Sequence, residues 1–542
     1  MPGLGDPLVR QMRRLAQAHA AFPGRPPKDR EELLRWYESE RAGEPNETGG
    51  PSASGISRRE FLQRGAAVGA GVVGASALGL GRARPAFARD ANVVIIGAGL
   101  GGLTCAYRLM RHGISSTVYE SRDRVGGRCW TIRVFENAQT AEHGGQYLDS
   151  RHHHIRKLAK ELRVPLVDTE AQSFPAGSGD YYWFDGAFHT PDEIFADFDL
   201  VFDRIRADYR RVGRYFYNQA KAEAIAFDQM TMNEWLDDNV PGGLDSLLGQ
   251  AIERSNTGFW GLDGDQLSAV NLFEFYVLPY PGADERFRVA GGNDVIPHRL
   301  AEELPSGTIR YERPLEAAWT RSDGKIGLKF AGQAGDVVAD VAVFALPFTV
   351  LRDLDTSGLN VSARRRRAID TLAMGTNAKL QFQLNRTLAD VDWTGAFRSD
   401  EPEFGTWDST YGQSEPHPET PVITIYNGGR AGAGYDPAEP HAIATPAIIN
   451  AALDALARGV VDIHDAYNGI AYLDSWVDDP WVHGSYAGFA PGQYTDFWGF
   501  LERREGNALF AGEHTSTHSQ GYLNGGVESG ERAARQVFNT LG

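Results

Sequence analysis

Apolar and polar positions alternate with different periods along this chain, and the changes of period mark its elements. Val93 to Ile96 is an unbroken apolar run of strand length. It opens into the glycine-rich turn Gly97-Ala98-Gly99-Leu100-Gly101-Gly102, after which apolar residues recur with helical spacing toward Arg111. A second strand then closes on Glu120. Strand, glycine turn, helix, strand and acid over this length predict a Rossmann-like opening from about Ala91 to Ser150. Between Arg151 and Glu285 the pattern turns mainly helical, with aromatic and aliphatic positions concentrated in Phe188 to Lys221 and Leu267 to Val277. Val337 to Leu346 reads as one buried strand ending in Pro347, and Ala378 to Leu384 as another. The last strand is Ala508 to Ala511, and a helix begins near Gly525.

The glycine turn carries the first chemistry. Gly97 allows the tight turn, and Gly99 lets bare backbone approach a pyrophosphate. Gly102 lets the helix pack against the sheet with its N-terminal N–H groups toward phosphate. Glu120 stands where a ribose-binding acid is expected, so the residues point to a dinucleotide.

A chain of 542 residues is expected to form more than one domain, and 42% hydrophobic content is ample for a large core. The net charge of −17 argues against a surface that tracks nucleic acid. Cys105 and Cys129 are the only cysteines, so neither a disulfide framework nor a Cys-rich metal site is expected. His152, His153 and His154 at a helix start read as a solvated or capping cluster, and no metal is assigned. His514 and His518 stand near the terminal glycine motif, where each reads as local packing or as a contact of the pocket. Arg364 to Arg367 reads as a solvated helix face.

The sequence resembles the flavin-dependent amine oxidase superfamily, which includes monoamine, polyamine and L-amino-acid oxidases. The resemblance runs from about Ala91 to the C-terminus and rests on separated motifs. These are GAGLGGL at Gly97 to Leu103, ESRDRVGGR at Glu120 to Arg128, GGQY at Gly144 to Tyr147 and VAGGNDVIPHRLA at Val289 to Ala301. FALP at Phe344 to Pro347 and FAGEHTSTHSQGYLNGGVESGERAA at Phe510 to Ala534 complete the set. It implies an α/β, two-domain fold with a discontinuous FAD domain (91–150, 288–350 and 470–542) and an inserted α+β substrate domain (151–287 and 351–469).

The resemblance also implies roles. Glu120 would accept the adenosine ribose hydroxyls, with Arg122 and Arg128 as donors near diphosphate or flavin. Gly127, Gly144 and Gly145 would bring backbone beside the ring system. Gly512 and Glu513 would hold the ribityl or pyrophosphate region, and Gly525 to Val527 would start a helix near the flavin carbonyl edge. Lys379 matches the lysine that holds a water near flavin N5; the alternative is a lysine that snorkels from a strand. Tyr486 and Tyr522 match a facing aromatic pair that bounds the amine slot, and Trp476 a tryptophan beside the isoalloxazine. Ser485 occupies the position of the flavin-bonded cysteine of animal monoamine oxidases, so noncovalent FAD is expected.

The leading expectation is an L-amino-acid oxidase for bulky apolar or aromatic substrates, using O2 and releasing peroxide. Tyr147 stands where such enzymes carry a carboxylate-binding arginine, and Arg151 is the substitute candidate. A primary-amine or polyamine oxidase is the alternative; oxidative decarboxylation and a redox-inert FAD-binding protein also stay open. A homodimer stays open.

The leader reads as an address. Ser57-Arg58-Arg59-Glu60-Phe61-Leu62, the uncharged run Gly65 to Gly81 and Ala86-Phe87-Ala88 together resemble a twin-arginine (Tat) export signal, 57–88, with delivery to the periplasm or medium. Residues 1–56 form an unusually long extension ahead of it, either a retained arm or the product of a wrongly assigned start.

Overall fold

The computed structural model describes residues 91–169, 180–277, 284–414 and 418–541, together with Ala18. The export signal and the extension before it lie outside the described residues. No helix among the described residues is long and apolar enough to cross a membrane.

The N-terminal pattern folds as its period requires. Strand Val93–Ile96 is wholly buried and stands at the centre of a five-stranded sheet. The order is Ala508–Phe510, Val341–Phe344, Val93–Ile96, Ser116–Tyr119 and Ile309–Arg310, every pair parallel. Parallel pairing needs crossovers, so distant chain segments build this one sheet. Helix Leu100–Arg111 packs against the terminal helix Leu523–Leu541. Their approach is close: a Cβ on Gly530 would stand 2.3 Å from the Gly101 carbonyl oxygen.

The second unit is an eight-stranded sheet. Its order is His441–Ile443, Tyr467–Ser475, Ala378–Leu384, Val422–Asn427, Glu403–Asp408, Phe397–Asp400, Tyr181–Phe184 and Ala187–Phe188. One pair in it, Phe397–Asp400 with Tyr181–Phe184, is parallel. Strand Ala378–Leu384 has both faces buried. Leu380, Phe382 and Leu384 enter an apolar cluster, whereas Lys379, Gln381 and Gln383 are buried on the alternate face. Helices between Pro191 and Val277 pack beside this sheet, their starts fixed by side-chain caps such as Thr231 with Glu234 and Ser246 on Gly249.

Several expected boundaries move. Helix His153–Glu161 buries Ile155, Leu158 and Ala159 in the nucleotide-domain core, so that core runs past residue 150. Strand Tyr467–Ser475 belongs to the eight-stranded sheet, so the limit at 470 falls inside it. The run Val337 to Leu346 is two strands. It breaks at Asp340, whose backbone N–H reaches the Asn92 carbonyl while its carboxylate accepts the Asn92 N–H at 2.8 Å. Val337–Ala339 joins a separate three-stranded sheet. Arg365 is fully buried and donates to the carbonyls of Phe500, Leu501 and Arg503, while Arg364 and Arg367 pair with Asp496. The four-arginine run is therefore not uniformly a solvated face; helical spacing turns Arg365 inward.

Candidate functional site

One open cavity, with about 1150 Å³ of empty space counting its solvent-filled mouth, runs from the glycine turn to the eight-stranded sheet. At its first end the turn has little freedom. Gly97 sits at φ +102°, and a Cβ on Gly102 would lie 1.9 Å from the Gly97 carbonyl oxygen. Gly99 differs: a Cβ there would meet no atom closer than the Gly126 carbonyl at 4.0 Å, so its bare backbone faces the cavity. Glu120 accepts the Ala98 N–H at 2.7 Å and the Arg122 N–H at 2.9 Å, which places the acid directly beneath the turn. Arg122 pairs with buried Asp479. Burial would raise the Asp479 carboxyl, but His441 and Arg122 outweigh it and hold the group at about 2.

In the middle, Gly126, Gly127, Gly144 and Gly145 line the wall. Arg128 donates to the Ser485 carbonyl at 2.6 Å and to Glu513 at 3.0 Å. Glu513 also accepts the N–H groups of Ala487 at 3.2 Å and Gly521 at 2.7 Å. Its carboxylate thus joins the segments carrying Tyr486 and Tyr522, a structural task that the ribityl role does not describe.

The far end holds Lys379 and a group of aromatic side chains. Lys379, 3% exposed, donates to the Glu142 carbonyl at 2.9 Å and the Gly144 carbonyl at 2.6 Å. It does not snorkel, because the 142–144 segment covers this face of the sheet. Burial pulls its ammonium down to about 8. An ammonium has three N–H bonds, so one is left for the cavity that Lys379 lines. Tyr486 donates its hydroxyl to the Phe259 carbonyl at 2.7 Å and meets the Tyr426 hydroxyl at 2.9 Å. Trp476 donates to the His143 carbonyl at 2.8 Å. Tyr522 lines the same wall, while Ser485 bonds Asn377 at 2.6 Å.

The structure brings Gly97, Gly99, Glu120, Arg122, Gly127, Arg128, Gly144, Gly145, Gly512, Glu513, Lys379, Trp476, Tyr486 and Tyr522 to this one cavity. Gly102, Gly525 and Val527 stand behind its wall. Gly525 is tight against the Ser519 carbonyl, Val527 is buried in the core, and Gly526 lines the cavity instead. Arg151 lines a neighbouring cavity with Trp260, Glu274 and Gln520, on the other side of Tyr522, and its Nε donates to Asp149 at 3.1 Å. His518 lines that second cavity too, and His514 is fully buried. His152 is also buried, its ring edge against Tyr522, so the histidine cluster is only partly solvated.

Sequence reasoning missed Tyr426 and Asn377. Tyr426 is the cross-strand partner of Lys379, and only knowledge of that register would have found it. Cys129 also lines the cavity; burial pushes its thiol well above the ordinary range.

The donor set fits a flavin dinucleotide: open backbone at Gly99 and an acid below the turn at one end, glycine walls and aromatics at the other. The family model for flavin containing amine oxidoreductase matches residues 100–538. Amine oxidase [flavin-containing] A of Canis lupus familiaris is 26% identical over 468 residues, covering 83% of this chain and 85% of the relative. Lysine-specific histone demethylase 1 homolog 2 of Oryza sativa subsp. japonica is 24% identical, covering 83% of this chain and 57% of that protein. Among solved structures, cyclohexylamine oxidase from Brevibacterium oxydans IH-35A aligns with a TM-score of 0.70 at 20% identity, over 83% of this chain and 99% of that one. Wild-type putrescine oxidase bound to putrescine aligns at 0.64 and 18% identity, with the same coverage.

Proposed function

Since the chain belongs to the flavin-containing amine oxidoreductase family, and is an oxidase acting on amines, we propose that its substrate is a primary amine or polyamine rather than an L-amino acid. The single observation that carries this reading is the makeup of the slot. Asn377, Lys379, Tyr426, Tyr486 and Tyr522 line its far end; among the described residues the arginines of the same cavity, Arg122 and Arg128, are engaged by Asp479 and by Glu513 with the Ser485 carbonyl, and Arg151 lies in the neighbouring cavity. The expectation of an amino-acid substrate calls for a cation at the carboxylate, and Arg151 is the candidate the sequence offers for it. Curated and structural relatives named for amines point the same way.

When bound, the flavin accepts two electrons and the hydrogen from the amine's α-carbon and passes the electrons to dioxygen; R–CH2–NH2 and O2 become R–CH=NH and H2O2. The imine hydrolyses to aldehyde and ammonia, or to aldehyde and a smaller amine for a polyamine. The chain's own residues prepare that exchange. Gly97 to Gly102, Glu120, Arg122 and Arg128 would hold the cofactor. Tyr486 and Tyr522 bound a slot that orients the amine and excludes water. Lys379 places positive charge at the slot, which favours the neutral amine over the ammonium.

The cofactor is proposed to be noncovalent FAD. Ser485 cannot form a thioether, and Cys129 is held as a buried thiol bonded to the Asn293 carbonyl. Export through the twin-arginine pathway is likewise proposed, from Arg58-Arg59 and the small-residue site Ala86-Phe87-Ala88, with processing after Ala88. An R58K/R59K chain retained in the cytoplasm supports it; unchanged delivery rejects it.

Anaerobic mixing of purified yellow protein with a panel of primary amines tests the function. Bleaching, followed by peroxide release on admitting oxygen, is the expected result. Unchanged colour across amines and polyamines would reject the assignment.

A further inference from the structure

A buried chain of alternating charges lies behind the cavity wall. Arg122 pairs with Asp479; Asp479 meets His441 Nε2 at 2.9 Å; His441 Nδ1 meets Asp474 at 2.7 Å; and the same Asp474 oxygen meets His143 Nδ1 at 2.5 Å. We infer that His441 is a positioning residue: as an imidazolium clamped between Asp474 and Asp479, it fixes the shelf that holds Lys379 and the Trp476 wall of the cavity.

The protonation state follows from the partners. An ionised carboxylate only accepts, so a ring nitrogen within hydrogen-bond distance of one must carry hydrogen. Both nitrogens of His441 face carboxylates, hence both are N–H. Asp474 and Asp479 are each held below the ordinary carboxylate range, despite burial, by their histidine and arginine partners. Burial works against the charge on His441, and the hydrogen bonds and charges of the two aspartates outweigh it. His143 donates to Asp474 through Nδ1, and burial keeps it neutral. Beyond Arg122, the cluster is faced by Arg124 above the Trp130 ring that stacks on His143, by Tyr472, whose ring lies 5.3 Å from that of His143, and by Lys379, the cross-strand partner of Asp474.

The geometry then reaches the cavity by short steps. His143 sits between Glu142 and Gly144, whose carbonyls take the Lys379 ammonium. Its own carbonyl takes the Trp476 N–H at 2.8 Å. The His441 ring lies 4.4 Å from the Trp476 ring, centroid to centroid. Gln381 adds a bond to the second Asp474 oxygen at 3.1 Å. A neutral residue at 441 would leave two buried carboxylates facing each other, and Asp474 would then compete with the shelf carbonyls for Lys379.

Two measurements on the full-length holoenzyme test this. In the first, ¹⁵N-histidine NMR at pH 7.5, assigned with a His441 variant or by its coupling to Asp474→Asn, should show both His441 nitrogens protonated; a neutral tautomer overturns the proposal. In the second, the flavin is reduced photochemically, without substrate, and its reoxidation by O2 is followed. His441→Gln should slow reoxidation tenfold or more while FAD stays bound, and His441→Lys, which restores a cation between the carboxylates, should return to within threefold of the parent. A residue that merely fills space would give the reverse order, with glutamine tolerated and lysine damaging, and that order overturns the proposal. If neither variant folds, the protonation measured in the parent chain, assigned through Asp474→Asn, decides.

Discussion

Lys379 donates to the Gly144 carbonyl at 2.6 Å, so a lysine on an interior strand of the eight-stranded sheet is fastened to a glycine of the cavity wall. Lys379→Met keeps most of the side-chain bulk and removes this charge. FAD occupancy should persist, while flavin turnover falls on the order of 10²-fold, the scale on which a positioned polar group acts. Rapid-reaction measurement of reduction and reoxidation separately checks it; normal rates in both would leave Lys379 a packing residue.

The tyrosines should divide by their partners. Tyr486→Phe leaves the buried Phe259 carbonyl without its 2.7 Å donor, a loss of about 1–3 kcal/mol in stability. Tyr522 sets its ring against that of His152, so Tyr522→Ala should open the slot and raise KM and lower kcat with little change in FAD affinity. Thermal denaturation and steady-state kinetics on the two variants check the division.

Two glycines of one turn should fail differently. A Cβ at Gly102 would sit 1.9 Å from the Gly97 oxygen, so Gly102→Ala should cost several kcal/mol and lower Tm even without cofactor. A Cβ at Gly99 has room against the protein and faces the cavity, so Gly99→Ala should lower FAD occupancy with the apoprotein Tm nearly unchanged. Equal effects on apoprotein stability would contradict this division.

Stability should depend on acid through Glu531, which joins three helices of the nucleotide domain. It accepts from Arg108 at 2.6 and 3.0 Å and from His154 at 2.8 Å. Burial would raise its carboxyl, but those bonds outweigh it and hold it at about 2. A depressed acid contributes stability above its unfolded value, about 4.5, and loses it as pH falls toward 2. Glu531→Gln should therefore lower Tm at pH 7, and the gap to the parent should close between pH 4.5 and 2.

Local pattern was enough for the elements that obey one period. Val93–Ile96, the glycine turn and Ala378–Leu384 fold where their apolar positions place them. Arg365 and His152 were misread because burial of a polar side chain depends on which neighbour covers it, and Phe500 and Tyr522 are far away in sequence. The same reason hid Tyr426, which meets Lys379 only through strand register, and His441, whose two carboxylates arrive from other segments. Arg151 shows the converse: three residues before it in sequence stands Leu148, buried in the core, yet the intervening turn carries the guanidinium to the neighbouring cavity.

The most direct measurement compares an aromatic primary amine with its parent L-amino acid by the second-order constant for anaerobic flavin reduction, in the parent chain and in Arg151→Met. With Arg122 and Arg128 engaged by carboxylates and Arg151 in the neighbouring cavity, the amine should show the larger constant by tenfold or more, and Arg151→Met should change neither by more than about twofold, the scale of a substitution away from the reacting groups. A larger constant for the amino acid, erased selectively by Arg151→Met, would contradict the amine assignment and place the carboxylate anchor at Arg151.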